Sequence, residues 1–414
     1  MPHENIFLDV TYIRKRTYCI PILLQTRYLR ITFNYILIFN MGLRVPRALV
    51  VILNKDNAEG LRRCLESLKE QTCRICECFD VLVIDGGSKD DSLNVVKNYA
   101  SQYSCIKCII QKVKGGVGPA RIEAVEYALD KGYEVIIWGD SENVYDRDYV
   151  KKVLRRINEG CDIVSGRSLI DVSSSLWSKL FYWYHSLHLF MDYLKRIHAP
   201  GNNKAVRSSI YKYLVYPPCS RSDDYYFTYL LMKKGLINNI RVCYDEDAIL
   251  ITSIPKTFKD ILKWQKARVK GLIEGALILK EPLPIDTYVW LLYAISPFIV
   301  LSLFLTGHLT LFEISVTLIA MTFTYLLYVM LKLLLKHKVA VFSGSRMLLA
   351  SIFLGIIGTY LHALMTLYYI LRFLVCISVI REDVMNRVAQ VNSLFSYIIR
   401  NLKYVKKDIF TYRG

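Results

Sequence analysis

Two carboxylates that follow an apolar run in the first half of the chain have the spacing of a metal site. Asp140 and Glu142 come directly after the run at residues 134–138. Carboxylates one residue apart can share a hard divalent cation, Mg²⁺ or Mn²⁺, with the oxygens of a diphosphate. Such a cation neutralises charge on a departing phosphate. The structural alternative for this pair is a solvated acidic loop.

A second carboxylate pair is placed to move a proton. Asp223 and Asp224 precede a stretch at residues 225–234 that predicts a helix. A carboxylate at a helix start can act as a general base for a hydroxyl group. We predict that Asp224 is this base and that Asp223 supports it. Capping of the helix is the alternative role for one of the two.

Three further sites could contact a diphosphate or a nucleoside. Gln265 and Arg268 are three residues apart and share one face of a predicted helix, although a basic helix facing a membrane is the alternative. Arg121 follows a glycine-rich turn at the start of a helix, where anions bind well, or it is an ordinary surface cation. Asp85, followed by two glycines, can accept hydrogen bonds from a base or ribose, or can cap the next helix.

The elements that position these residues alternate between strands and helices. Such alternation predicts an α/β fold with a doubly wound parallel sheet. Ligands of these sheets lie beyond the carboxyl ends of the strands, where Asp85 and Asp140 fall. The predicted strands are residues 48–53, 79–84, 106–113 and 134–138, and the predicted helices are residues 58–70, 92–100 and 119–131.

The order of these motifs resembles that of the membrane-attached family 2 glycosyltransferases, over roughly residues 46 to 275. It implies a GT-A-type nucleotide-diphospho-sugar transferase domain at residues 46–280, with inverting transfer from a nucleotide-diphosphate sugar. The motifs that carry the resemblance are residues 84–88, 115–121, 140–142, 222–224 and 265–268.

The resemblance also implies roles for single residues. It assigns donor binding to Asp56, Asp85, Arg121 and Asp140, metal binding to Asp140 and Glu142, and catalytic roles to Asp223, Asp224, Gln265 and Arg268. The chain departs from the family pattern at four positions. Lys55 replaces an aromatic residue beside the base, and Glu142 replaces the second Asp. Asp223 replaces a Glu, and Val269 replaces a tryptophan that stacks on sugar.

The C-terminal part predicts membrane helices. Hydrophobic residues make up 53% of the chain, and the runs at residues 287–306, 314–331 and 347–371 carry no charge and are each long enough to cross a bilayer. We therefore predict three or four spans within residues 286–380. A core helix is the alternative for any single run. The net charge of +18 would also suit nucleic acid, but no nucleic-acid-binding motif is present and we predict no such partner.

Charge predicts the orientation of these spans. Lysines and arginines flank the first run on its N-terminal side and the second on its C-terminal side, whereas residues 307–313 contain none. The positive-inside rule thus predicts a multi-pass cell-membrane protein with a cytoplasmic catalytic domain. Gly355 and Gly358 predict a tight hairpin within residues 345–380. That hairpin makes four crossings, with a basic cytoplasmic tail at residues 381–414 and an amphipathic helix at residues 395–410. Three crossings are the alternative.

Two regions stay open. Residues 1–45 are either an interfacial segment or an extension upstream of a start at Met41. Five of the eleven cysteines form two clusters, which predict free thiols or a disulfide, with a structural zinc as the alternative. These are Cys73, Cys76, Cys78, Cys105 and Cys108.

A site beside a bilayer favours a lipid-linked acceptor, with membrane lipids as further partners. Two other functions were weighed. A processive polysaccharide synthase would need a channel and a sugar-stacking aromatic at Val269. A non-catalytic membrane scaffold would not need the carboxylates at Asp85, Asp140 and Asp224.

Overall fold

A computed structural model describes residues 46–171, 175–185, 200–233, 235, 238–308, 310–317, 319–320 and 345–395. Residues 46–414 form one compact unit by their contacts. The predictions for residues 1–45 lie outside the described residues. So do those for most of the second apolar run and for the tail helix beyond Phe395.

Among the described residues, eight strands form one sheet in the order β3-β2-β1-β4-β7-β6-β8-β5. The first four strands pair in parallel, whereas β7 is antiparallel to both β4 and β6. The four predicted strands are therefore parallel, as expected, but the sheet as a whole is mixed: beyond β4, where the regular strand–helix alternation ends, β6 and β8 pair in parallel and β5 is antiparallel to β8. The strands are β1 Ala48–Asn54, β2 Phe79–Asp85, β3 Ile106–Ile110, β4 Val135–Asp140, β5 Val144–Tyr145, β6 Ile163–Asp171, β7 Lys204–Arg207 and β8 Val242–Ser253.

Both faces of the sheet are covered. Along β1, Leu49 and Val51 belong to one apolar cluster, and Val50 and Ile52 belong to the other. This alternation follows from the two-residue period of a strand, and it explains why a fully buried strand is an unbroken apolar run. The covering helices are α1 Ala58–Lys69, α2 Ser92–Gln102, α3 Val117–Asp130, α4 Tyr149–Asn158 and α6 Asp223–Lys233. Helix α5 Leu176–His185 belongs instead to a third apolar cluster, which contains no strand residue.

Within the described residues, four long helices follow the sheet. They are α7 Phe258–Leu279, α8 Ile285–Leu305, α9 Ser345–Val375 and α10 Ile377–Leu394. In the described part of the chain, α8 and residues 354–375 of α9 are each long and apolar enough to cross a membrane. Most large side chains of α8 are exposed, including Phe298 at 66% and Leu305 at 72%.

The hairpin predicted at residues 345–380 is wrong. Residues 345–375 form one helix, with Gly355 and Gly358 buried inside it. A turn there would leave backbone groups unpaired in apolar surroundings, whereas an unbroken helix pairs them. The residues predicted as a free tail begin within α10, and α10 packs on the sheet domain. Its Val391 and the following Phe395 join an apolar cluster of that domain.

Three disulfides occur within the described residues: Cys73–Cys78, Cys76–Cys105 and Cys161–Cys243. Cys108 is free and exposed. Disulfides, and not a zinc site, therefore account for the two cysteine clusters. The third bridge was not predicted, because Cys161 and Cys243 are distant in the sequence.

Candidate active site

The carboxyl ends of β1, β2 and β4 bring the predicted donor residues to one edge of the sheet. In the strand register, Asn54 lies opposite Asp85, and Leu53 lies opposite Asp140. Because the three strands are parallel, the residues that follow them share this edge. This is the edge at which open α/β sheets bind their ligands.

Asp85 is buried and its carboxylate is fully engaged within the protein. It accepts hydrogen bonds from the amides of Gly87 and Ser88 at 2.9 and 2.7 Å. It also accepts from the side chains of Asn54 and Ser88 at 2.8 and 2.7 Å. Burial opposes ionisation, but these bonds outweigh it and hold the pKa of Asp85 below its usual range. Asp85 therefore organises the turn after β2, and its contact with a donor stays a prediction.

Asp56 borders the same turn from the end of β1. Its backbone is left-handed, with φ of 50°. Its amide donates to Ser88 Oγ at 2.8 Å, and its Oδ1 accepts from the amide of Lys89 at 2.7 Å. The exposed side chain of Asp56 thus joins the two loops that would flank a bound nucleoside.

Asp140 and Glu142 begin the next loop, and both are half-buried. Burial raises the pKa of Asp140, against the attraction of Arg121 and Arg221. Burial and then the charge of Asp140 raise the pKa of Glu142 to about 7. The loop is anchored by Asn57, whose Nδ2 donates to Ser141 Oγ at 3.0 Å.

The chemistry of this pair fits a divalent cation. Two desolvated carboxylates that repel each other gain from a shared positive ion. In the described part of the chain, no group of three or more His, Cys, Asp or Glu side chains could hold a metal by itself. A cation at Asp140 and Glu142 would therefore need oxygen ligands from a bound diphosphate.

Arg121 joins this edge to the second acidic pair. Its Nε lies 2.5 Å from Asp223 Oδ2, and both side chains are 4% exposed. The guanidinium also lies over the rings of Trp138 and Tyr216, at 4.8 and 5.4 Å from their centroids. Burial disfavours its charge, but Asp223 outweighs burial and raises the pKa of Arg121. Arg121 is therefore a buried ion-pair partner and not a surface cation.

Asp224 differs from its neighbour in exposure. Both residues lie in the first turn of α6, but Asp223 is buried and Asp224 is partly exposed. Asp224 Oδ2 accepts from the amide of Gly201 at 3.0 Å. A Cβ at Gly201 would lie 2.7 Å from Arg121 Nη2, so glycine permits this close approach. The predicted division between a supporting and a reacting carboxylate stays a prediction.

Lys204 is a site residue that was missed. Its side chain is fully buried in β7, with Nζ over the rings of Tyr216 and Phe227 at 5.1 and 4.7 Å. Burial, then Arg121, lowers its pKa to about 7, while Asp224 and Asp223 oppose that shift. The two-residue period of β7, which puts Lys204 on the face of buried Val206, could have revealed it.

Arg221 was also missed. It is exposed, and its charge lowers the pKa of Asp140 and Glu142 in opposition to burial. The next residue, Ser222, has a left-handed backbone with φ of 62°. Gly271 of α7 packs under this turn, where a Cβ would lie 2.3 Å from Arg221 O. No local sequence pattern distinguishes Arg221 from other surface arginines.

Gln265 and Arg268 share one face of α7, as predicted, and contact each other at 3.3 Å. Both side chains are buried against α9. Gln265 Nε2 donates to Thr366 Oγ1 at 2.7 Å, and Arg268 Nη2 donates to the same atom at 2.9 Å. The structure thus places this pair at a contact with a candidate membrane helix. Its predicted contact with a diphosphate stays a prediction.

Residues 48–214 match the family model described as Glycosyl transferase family 2. This stretch contains all the residues predicted to bind donor or metal, and it ends before Asp223. Within its α/β sheet domain the chain therefore carries a region of the family 2 glycosyltransferase type. The family 2 part of the resemblance drawn from its motifs is confirmed, and its membrane attachment stays a prediction.

Curated relatives are similar over part of the chain. EpsH of Bacillus subtilis, described as a glycosyltransferase, is 31% identical over 116 residues, which are 28% of this chain and 31% of EpsH. The PGL/p-HBAD biosynthesis glycosyltransferase of Mycobacterium tuberculosis (strain H37Ra) is 26% identical over 138 residues, which are 33% of this chain and 52% of that protein. The chain thus spans about half of the length of these relatives or less.

Two solved structures share parts of the backbone. Staphylococcus aureus TarS 1–349 in complex with UDP-GlcNAc is 19% identical, with a TM-score of 0.40, over 57% of this chain and 68% of that chain. The mannosyltransferase PcManGT of Pyrobaculum calidifontis, solved with GDP-Man and Mn²⁺, is 15% identical, with a TM-score of 0.45, over 82% and 97%.

Proposed function

We propose that this protein transfers a sugar from a nucleotide-diphosphate donor to an acceptor hydroxyl, with inversion at the anomeric carbon. One observation carries the proposal: the buried Arg121 pairs with Asp223 and lies within electrostatic reach of acids from two distant parts of the chain. Asp140 ends β4 with Glu142 just after it, and Asp223 and Asp224 open α6; Arg121 interacts with Asp140 and with both α6 carboxylates.

The residues divide the work of such a transfer. Asp224 takes the proton of the acceptor hydroxyl, whose oxygen attacks the anomeric carbon on the face opposite the diphosphate. The bond between that carbon and the diphosphate oxygen breaks, and the nucleoside diphosphate leaves with the electron pair. Asp223 and its ion pair with Arg121 hold the first turn of α6 in place. A divalent cation bound by Asp140, Glu142 and the diphosphate would neutralise the leaving group's charge.

Exposed Arg221 supports the leaving-group side of this reaction. Its charge already acts on Asp140 and Glu142. A guanidinium next to a diphosphate can donate two parallel hydrogen bonds to its oxygens. We assign Arg221 to the diphosphate, and we keep Gln265 and Arg268 as a proposed link between the site and α9.

A lipid-linked acceptor is supported by the packing of the candidate spans. Gln265 and Arg268 of α7 bond to Thr366 of α9, so a candidate membrane helix contacts the sheet domain directly. The alternative of a processive synthase is disfavoured at Val269. That residue is fully buried in an apolar cluster with α9 side chains and has no access to a sugar.

The packing also supports an even number of membrane crossings. Helices α8 and α9 run antiparallel, since Trp290 packs on His362 and Tyr360 Oη donates to Ala294 O. Helix α8 begins next to α7, and α10, which follows α9, packs on the sheet domain. The two chain ends of the membrane part therefore belong on the side of the catalytic domain.

The basic residues and the disulfides favour opposite orientations of the catalytic domain in the membrane. The lysines before α8 favour a cytoplasmic domain, which we propose. Disulfides are uncommon in most cytosols. Among the described residues, the exposed free cysteines are Cys108 and Cys376. Cys19 lies outside the described residues, so a variant that carries both Cys19→Ser and Cys376→Ser is labelled with an impermeant maleimide to report on Cys108. We expect labelling only after lysis. Labelling in intact cells would place the domain outside.

The function is tested by a donor screen. Detergent-solubilised protein is incubated with UDP- and GDP-sugars and Mg²⁺ or Mn²⁺, and release of the nucleoside diphosphate is measured. We expect release from one donor class, and we expect EDTA and Asp140→Ala to abolish it. Asp146→Ala, at an exposed acid that directly follows β5, is the matched control. Release that survives both EDTA and Asp140→Ala would contradict the metal site. No release from any donor would contradict the transferase.

A further inference from the structure

Helix α10, which follows the candidate membrane helices, contacts Pro218 and Glu274 through the side chain of Arg387. Arg387 of α10 is 7% exposed. Its Nη1 and Nη2 donate to Glu274 Oε2 and Oε1 at 2.9 and 3.3 Å, and Nη1 also donates to Pro218 O at 3.1 Å. Two-point pairing of this kind fixes orientation as well as distance. Arg387 is therefore held firmly, 113 residues from its carboxylate partner.

Glu274 links Arg387 to the loop that precedes Asp223 and Asp224. Its Oε2 accepts from the amide of Ser220 at 2.6 Å. Ser220 is followed by Arg221, the left-handed Ser222 and then Asp223 and Asp224. The carboxylate of Glu274 thus fixes the loop that leads into α6. Arg387, together with Lys270 Nζ at 3.5 Å from Glu274 Oε1, supplies the positive charge that allows Glu274 to be fully buried.

The same loop holds the glycine-rich turn on the donor side. Ser220 O accepts from the amide of Val117 at 3.1 Å, and Cys219 O accepts from the amide of Gly118 at 3.0 Å. At Gly115, which has φ of 116°, a Cβ would lie 2.4 Å from Arg387 Nε. Only glycine fits both this backbone angle and the contact with the guanidinium.

We propose that Arg387 is a positioning residue, which through Glu274 and Ser220 sets the distance between the glycine-rich turn and the Asp223–Asp224 pair. Its catalytic consequence rests on the proposed transfer reaction, because these two segments flank donor and acceptor there. The packing itself does not depend on that function. Helix α10 is on this account part of the active-site scaffold and not a tail.

The first test measures the packing without any substrate. Hydrogen exchange is followed by mass spectrometry on full-length protein in detergent, as wild type, Arg387→Ala and Arg387→Lys. Arg381→Ala, an exposed arginine of the same helix, is the matched control. We expect the Arg387→Ala variant to speed exchange in peptides covering residues 115–120 and 217–222 by roughly tenfold or more. Peptides from β1 and β2 should stay protected, and Arg381→Ala should match wild type.

The two Arg387 variants separate positioning from general stability. Arg387→Lys keeps one charged contact with Glu274 and loses the two-point pairing, so an intermediate effect in the same two segments is expected even if Arg387→Ala fails to fold. Faster exchange spread evenly over β1 and β2 would overturn the proposal in favour of a merely structural role. So would exchange in Arg387→Lys that equals wild type.

The second test uses the donor identified in the screen. Arg387→Lys should lower kcat by up to about 10²-fold, the scale for small displacements of reacting groups, with a smaller change in donor KM. Unchanged kcat beside altered exchange would overturn the catalytic part of the proposal. If wild type consumes no donor, the proposed function fails, and the exchange experiment still decides the role of Arg387 in packing.

Discussion

The two halves of the candidate site are held together in different ways. On the donor side, the contacts stay among β1, β2, β4 and the loops that follow them: Asp85 is bonded by Gly87 and Ser88, two and three residues away, and by Asn54, 31 residues away. On the acceptor side, the contacts join residues that are about a hundred positions apart in the sequence. Gln265 bonds to Thr366, 101 residues away, and Glu274 bonds to Arg387. The donor half therefore forms with its own turns, whereas the acceptor half depends on the helices that follow it.

The largest expected effect sharpens this division. We predict that Asp224→Asn lowers the rate of transfer by about 10²–10⁴-fold, because the base for the acceptor hydroxyl is lost. Binding of UDP or GDP should change little, since the donor half stays intact. Transfer rate and calorimetric nucleotide binding check both points.

The control for Asp224→Asn is Glu246→Gln, at an exposed acid distant in sequence from the site. Near wild-type turnover of Asp224→Asn would remove Asp224 from the base role. Loss of nucleotide binding in the same variant would show that the two halves are not separable.

A second prediction concerns the ion pair between Arg121 and Asp223, which joins the two halves of the candidate site. Arg121→Met should destabilise the domain by about 3–5 kcal/mol, because Asp223 is left buried without its partner. Arg62→Met, which breaks the exposed pair with Glu59 in α1, should cost about 1 kcal/mol or less. Denaturant unfolding followed by tryptophan fluorescence measures both.

The double variant Arg121→Met with Asp223→Leu tests the cause. Removal of both charges should recover much of the stability lost in Arg121→Met alone. A double variant as unstable as the single one would show that the rings around Arg121, and not the ion pair, account for the loss.

A smaller effect is expected from pH at the donor half. The pKa of Glu142 is raised to about 7, so this carboxyl binds a proton below that pH. Protons and metal compete for the ionised form. Affinity for Mn²⁺ in the presence of a nucleoside diphosphate should thus weaken by about tenfold per pH unit as pH falls below 7.

Titration calorimetry between pH 5 and 8 measures this slope. Glu142→Gln has no proton to release and should flatten it, with weaker binding throughout. A flat profile for wild type would mean that Glu142 is not a ligand.

The donor half could be predicted well from the sequence. Apolar runs gave β1, β2 and β4 to within two residues, and β3 was three residues shorter than predicted. The reason is physical: a strand buried on both faces is marked by its own composition. The order of short motifs then placed Asp85 and Asp140 at one edge.

The acceptor half could be predicted only in part. The helical spacing of Gln265 and Arg268 correctly put them on one face, but their partner Thr366 could not be found. The role of Arg387 depends on packing between distant segments, which has no local signal, whereas the two-residue period of β7 could have indicated that Lys204 is buried. Gly355 and Gly358 suggested a turn, yet glycine inside an apolar helix also allows close helix packing.

The bridge between Cys161 and Cys243 makes a covalent ring of the segment that carries the proposed base. The ring contains α5, β7 and α6, and with them Lys204 and Asp224. A single protease cut after exposed Arg221 would leave the two pieces joined. They would migrate as one band without reductant and as two bands with it. The segment that provides the reacting carboxylate can thus be severed without being released.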